Sequence, residues 1–287
     1  MKKILTYVVF VVVLCSVATM STGCKSYVYA DADDYDVGSG SASDVKSIDI
    51  DWVAGKVVLQ YHTSNDIVFD EEPVFGSISD ELQMRWRTVD GTLFVKYCKS
   101  GVTLSDSGKV LTVSLPESFR GENIQVNTVS ANLKTPVLKA NKVHFDSVSG
   151  GADLWVSDVS ELAVNSVSGN ITLTQHGTCQ TASIVTNSGN VDVYADKILD
   201  LDVTSVSGRV RADISATNSV KVDGTSSNIT LRLPAEVGFV ATLDSTSGKI
   251  DCKFSCKSSG NNYRYGDGSV SIDLTTTSGS VVLEPLS

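Results

Sequence analysis

The chain writes one short turn again and again at a nearly fixed interval. "SVSGGADL", "SVSGNITL" and "SVSGRVRA" begin at Ser147, Ser166 and Ser205. Aligned on the residue before the turn glycine, eight copies fall at Ser130, Ser149, Ser168, Ser188, Ser207, Ser226, Ser247 and Ser278, with spacings of 19, 19, 20, 19, 19, 21 and 31 residues. A repeat of this length means structural units stacked on one another.

The columns of this alignment say what is buried. Six and four residues before the anchor the copies carry pairs such as Val143 and Phe145, Leu162 and Val164, Leu201 and Val203. Three and five residues after it come Ala152 and Leu154, Ile171 and Leu173, Val210 and Ala212. The columns between are mostly Asn, Asp, Thr, Lys and Arg. Period-two alternation on both sides of a turn means two strands per copy, each with one buried face. Two before the anchor, Thr128, Ser147, Ser166, Thr186 and Ser205 share the buried parity, so hydroxyls should line the inside of the turn and bond to backbone or to each other. Gly follows the anchor in six copies, as expected where a sharp bend needs a positive φ. Asn132, Asn170, Asn190 and Asn228 suggest an outer ladder two after the anchor.

One copy cannot bury its apolar face alone. Stacked in parallel, each strand pairs with the next rung and builds a continuous core. The predicted fold is therefore all-β: a short-rung parallel β-solenoid, β-helix-like, with about 19–20 residues per rung. An antiparallel meander using the same turns is the competing arrangement. Like residues in like columns favour the solenoid. The template also fits Ile48, Ile50, Val57 and Leu59, and it places Met84, Trp86, Leu93 and Val95 in the same four columns. Residues 45–122 read as irregular N-terminal rungs and 123–287 as regular repeats. The long last interval predicts a loop or hairpin over Lys257 to Ser269.

The N-terminus reads differently. Lys2 and Lys3 precede the apolar run Ile4 to Leu14, and small residues follow, the pattern of a secretory signal. The "STGC" ending at Cys24 resembles the lipobox of bacterial lipoproteins, with Ser21 where that box carries an aliphatic residue. The resemblance implies a signal peptide over 1–23, a lipid on Cys24 and a mature chain held to a membrane through that lipid. Ordinary cleavage near Ala32 and an uncleaved anchor are the alternatives. Each places the rest of the chain outside the cytoplasm. Residues 24–44, acidic and without hydrophobic period, read as a flexible tether.

Charge and cysteines narrow the partners. The formal net charge is −10, which argues against nucleic acid, because phosphate binding needs clustered Lys and Arg. Cys252 and Cys256 form a candidate disulfide in an exported chain, or two free thiols. No second pair or nearby His completes a metal site, and no cofactor motif is present.

"SVSGNITL", "TNSGNVDV" and "TTTSGSVVL", with "LTVSLP" upstream and "YGDGS" before the last copy, resemble a bacterial family of putative adhesins built from uncharacterised β-strand repeats. The likeness runs over about residues 45–287. It implies an extracytoplasmic domain, often tethered, that adheres or takes part in envelope-stress responses. It carries no binding residues with it.

The rival class is a carbohydrate-active β-helix enzyme, which would cluster carboxylates with basic groups on one face. Asp153, Asp192 and Asp251 share a column but do not occupy adjacent regular rungs. His62, His144 and His176 fall in different columns, and the serines read as turn residues without a nucleophile elbow. No catalytic residue is therefore expected. Trp155 has outward parity and is a candidate ligand contact. Lys253, Lys257 and Arg264, in the most basic stretch of an acidic chain, are candidates for touching an anionic polymer. The expectation is a non-enzymatic cell-envelope lipoprotein, an adhesin-like scaffold binding another surface component, polysaccharide or protein.

Overall fold

The computed structural model describes residues 26–104 and 108–286. The signal segment 1–23 and Cys24 lie outside the described residues. Long strands Asn132–Ser147, Ala152–Ser166, Ile171–Ser188, Val191–Ala216 and Ser219–Leu233 dominate the fold. The first three each carry the second half of one copy and the first half of the next, Val191–Ala216 runs on through both halves of the Ser207 copy, and Ser219–Leu233 holds both halves of the Ser226 copy. All pair in parallel. Val143 lies against Leu162, Leu162 against Ala182, Ala182 against Leu201, and Leu201 against Val220. Val164 and Val203 share one sheet, with Ile184 between them. The stack is the predicted solenoid, and the strand-to-strand register follows the columns of the alignment.

The reason is burial. Except for the half-buried Ile250, every aliphatic position of the four columns in the eight copies is at most 5% exposed and belongs to a single core cluster. Within Ala152–Ser166 and Ile171–Ser188 the rung bends a second time, where the register shifts between Ser157 and Val159 and between Gln175 and Cys179. Asp158 (φ 54°) and Gly177 (φ 68°) occupy left-handed positions at these bends.

The turn columns behave largely as expected. Thr128 Oγ1 donates to Ser147 Oγ at 2.9 Å, and Ser227 Oγ donates to Ser205 Oγ at 3.0 Å. Ser147 and Ser166 accept from the amides of Gly150 and Gly169, both at 2.8 Å. The outer Asn ladder also forms: Asn132, Asn170, Asn190 and Asn228 each accept a backbone amide from the adjoining rung. Glycine serves two purposes here. Gly189 has φ 140°, but Gly169 lacks a positive φ. A Cβ on Gly169 would sit 2.1 Å from the carbonyl oxygen of Gly150, one rung away. Close backbone approach, more than bending, sets the residue there.

Three features depart from the sequence reading. First, Leu93 and Val95 pair with Ile48 and Ile50, so they belong to the columns before the turn, not after it. Their rung is completed by Leu111 and Val113, which pair with Val57 and Leu59. Arg85–Val89, with Trp86, runs antiparallel to Thr92–Lys96 as a hairpin. A two-residue turn at Asp90 and Gly91 imitates the repeat turn in sequence while reversing the chain.

Second, the last copies do not stack in chain order. Val270–Thr276 lies between Ser219–Leu233 and Phe239–Ser245, parallel to both. Val281–Pro285 likewise separates Ser219–Leu233 from Ile250–Cys252. The final copy is thus inserted beneath its predecessor. The extra residues of the last interval form the hairpin Lys257–Ser259 and Asn262–Tyr265, which covers the outer edge of Phe239–Ser245 in antiparallel pairing. Phe239, Phe254 and Tyr265 meet there with ring centres 5.0–5.5 Å apart.

Third, residues 26–44, expected as a flexible tether, are laid along the N-terminal end. Ser26–Tyr27 pairs with Val102–Thr103, Asp36–Val37 with the Trp86 strand, and Gly40–Ala42 with Ile67–Pro73. Tyrosines supply the adhesion that the acidic composition conceals. Tyr27, Tyr29 and Tyr35 form edge-to-face contacts, and Tyr27 also meets Tyr97. Beneath them Lys109 is buried, paired with Glu71 at 2.5 Å and set over the faces of Trp52 and Tyr97.

Candidate functional site

Six residues after each anchor the side chain points away from the core. Read across the stack in its true order, this row runs Trp155, Thr174, Tyr194, Asp213, Arg232, Glu284, Lys253. Trp155 is paired with Thr174 and Thr174 with Tyr194. The two aromatics therefore stand on one row, two rungs apart, about 10 Å by strand spacing. They are 38% and 37% exposed on a scaffold whose inner face is closed. Such a pair fits the contact residues of a recognition surface, since each ring offers a large apolar face with a polar handle.

Both rings are held. The Trp155 indole Nε1 donates to Asp153 Oδ1 at 2.9 Å, and its ring centre is 6.1 Å from that of His176. The Arg211 guanidinium lies 5.5 Å from the centre of the Tyr194 ring. Carboxylates around them are engaged. Arg209 grips Asp192 with two hydrogen bonds of 2.9 and 2.7 Å, and Arg211 pairs with Asp213 at 2.6 Å. His176 Nδ1 is 3.4 Å from Asp196.

Beyond Tyr194 the same row becomes a chain of ion pairs. Arg232 reaches Asp213 at 3.8 Å and Glu284 at 2.6 Å, and Lys253 bonds the other oxygen of Glu284. Hydrogen bonds from Lys253 and Arg232 hold the Glu284 carboxyl below the usual range. Lys253 is thus a member of this chain. Lys257 and Arg264 instead face each other across the hairpin and line a shallow pocket of about 230 Å³ with Ser255, Tyr265 and Gly266. Arg264 Nη2 donates to the Asp267 carbonyl at 2.7 Å. The structure brings Lys257 and Arg264 together and assigns Lys253 elsewhere.

Cys252 and Cys256 are thiols whose sulfurs lie 3.3 Å apart. Burial, with the neighbouring Cys252, pushes Cys256 up to about 12. Cys98 and Cys179 are buried, and burial raises each to about 11. The histidines do not converge: His62 contacts the Asp66 carbonyl, His144 lies beside Glu161 and His176 beside Asp196. Among the described residues no group of His, Cys, Asp and Glu could hold a metal ion.

Trp155 was legible from its parity. Tyr194 was not singled out, although it stands in the same column, six after Ser188. Its signal lay in comparing the column across copies: aromatic, Thr, aromatic. The ion chain was hidden, because Glu284 joins it only through the inserted last rung.

A family model described as Toastrack DUF4097 matches residues 44–284. Among solved structures, a putative adhesin from Bacteroides fragilis NCTC 9343 is similar at 13% identity and a TM-score of 0.50, covering 88% of this chain and 97% of that one. A putative adhesin from Parabacteroides distasonis ATCC 8503 aligns at 11% identity and a TM-score of 0.46, over 88% of this chain and 98% of that one. At 13% identity the likeness to the Bacteroides fragilis protein concerns the fold alone. No curated protein matches the chain.

Proposed function

The chain belongs to the Toastrack DUF4097 family, and we propose that it is a non-enzymatic, adhesin-like scaffold of the bacterial cell envelope that binds another surface component. The observation that carries this reading is the pair Trp155 and Tyr194, exposed on one row of a rigid ladder. A stack with a continuous core offers its outer rows as fixed surfaces, so a partner meets a site that needs no ordering on contact. The non-enzymatic reading is supported by the carboxylates of this face. Asp192 and Asp213 are each bound by an arginine, and Asp153 accepts from the indole.

Export and anchoring belong to the same proposal and rest on the sequence: Lys2 and Lys3, the apolar run and Cys24. The membrane partner is then a lipid on Cys24, on the extracytoplasmic side, and no nucleic acid is involved. The named likeness of structural neighbours to adhesins agrees with a binding role.

Cells carrying the full chain are compared with cells carrying Trp155→Ala/Tyr194→Ala for retention of isolated envelope fragments. Loss of retention by severalfold or more, at equal surface amounts, is the expected result. Equal retention removes the site from the proposal. Purified protein is also incubated with a polysaccharide panel, and release of oligosaccharide overturns the non-enzymatic reading. Fatty-acid labelling that persists in Cys24→Ala counts against the anchor.

A further inference from the structure

We infer that the occupant of the Trp155–Tyr194 face is a neutral, extended polysaccharide chain running along the stacking axis, with sugar rings seated on the two aromatics. This rests on the scaffold reading above and names its ligand. The geometry supplies a repeat. Trp155 and Tyr194 occupy one row with Thr174 between them, so their separation is two strand spacings, about 10 Å. An extended β-linked glycan presents equivalent ring faces at a closely similar interval, one disaccharide apart. A ligand lying along a single rung would meet only one of the rings.

The chemistry of the face matches that of a sugar. A pyranose has a face of C–H groups and a rim of hydroxyls. The faces call for exposed aromatics, and the rims for donors and acceptors placed between them. Thr172 and Thr174 are half-buried on the rung between the two rings, and Asp153 and Asp192 flank it on the neighbouring rungs. The indole is already oriented by Asp153, so little freedom is lost when it stacks.

Charge selects against the alternatives. Arg209 and Arg211 are matched by Asp192 and Asp213, which neutralises the guanidinium groups beside the rings, and His176 lies against Asp196. With a chain of formal charge −10, a polyanion gains nothing from this face and is repelled by the remainder. The row also defines how long the seat is. Past Tyr194 it turns into the ion chain of Asp213, Arg232 and Glu284, and before Trp155 the paired position is the half-buried Val137.

The test uses the full chain in non-ionic detergent, by affinity electrophoresis through gels containing mixed-linkage β-glucan, dextran or polygalacturonate. Retardation in the β-glucan gel is expected. Trp155→Ala and Tyr194→Ala should each weaken it about tenfold, and the double variant should migrate as in an empty gel. Trp155→Tyr should recover most of the binding, which a merely misfolded surface would not. Short β-linked oligosaccharides should quench tryptophan fluorescence, with affinity rising steeply once the chain is long enough to reach both rings. Loss of that rise in Tyr194→Ala is part of the prediction. Salt-sensitive binding to polygalacturonate alone, unchanged in the variants, overturns the neutral-glycan inference. So does binding of a protein through Trp155 and Tyr194 with none of any polysaccharide, although the scaffold reading then stands. If neither polysaccharide nor envelope fragments bind in a Trp155- and Tyr194-dependent way, both fall.

Discussion

Asp49 faces outward from its strand, yet its Oδ1 is buried without a hydrogen-bond partner. Burial, with Asp51 alongside, raises its carboxyl from 3.8 to about 6, against an opposing pull from Lys96. The folded state therefore holds this proton more tightly than the unfolded chain does. The resulting cost is absent below about pH 4, grows as pH rises toward about 6, and is complete above that. Asp49→Asn is expected to raise stability at pH 7 by about 2–3 kcal/mol and to change little near pH 4. Urea midpoints of both proteins at the two pH values check this, and an equal gain at both would refute it. At the same scale, composition could place the turn glycines but not distinguish their causes. A Cβ on either Gly189 or Gly169 would meet a carbonyl one rung away, at 2.4 and 2.1 Å, but only Gly189 also has a positive φ. Only neighbours in space separate these cases.

Among elements, the inserted last rung is the main departure from chain order. Its outer row explains part of the preference. With Val281–Pro285 in the middle, Glu284 stands between Arg232 and Lys253, and charges alternate along the row. Stacked in chain order, Lys253 would instead follow Arg232 directly, and two cations would be adjacent. Glu284→Lys would recreate that repulsion. We expect it to lower the melting temperature by a few degrees, with the deficit shrinking in high salt. Thermal melts at about 0.05 M and 0.5 M salt decide the point. A salt-independent loss would mean that packing, not charge, sets the order of these rungs. Sequence periodicity found both rungs and their buried columns, because alternation is local. It could not order them, since the apolar columns of all copies are nearly interchangeable.

The whole molecule is a stack whose ends carry antiparallel strands. Hairpin Lys257–Ser259 and Asn262–Tyr265 covers the Phe239–Ser245 half of one end, beside the outer edge of Ile250–Cys252, and Ile67–Pro73 and Arg85–Val89 lie along the other. Covered edges limit edge-to-edge association of a parallel sheet. At the N-terminal end, residues 26–44 are part of this covering. Limited proteolysis of the native protein should therefore spare this segment, with first cuts elsewhere, as read by mass spectrometry of the fragments. Rapid cutting between 30 and 44 would restore the flexible tether. By itself, the sequence determined the all-β class, the rung length, the buried columns and the outward parity of Trp155, because each is written in a local period of two or in a repeat near nineteen. Tertiary structure alone decided the order of the last rungs, the reversal at Asp90 and Gly91, and the docking of the tyrosines near the N-terminus. It also decided that Glu284 stands between Arg232 and Lys253. These depend on which surfaces meet, and a one-dimensional pattern holds the faces of each strand without holding its neighbours.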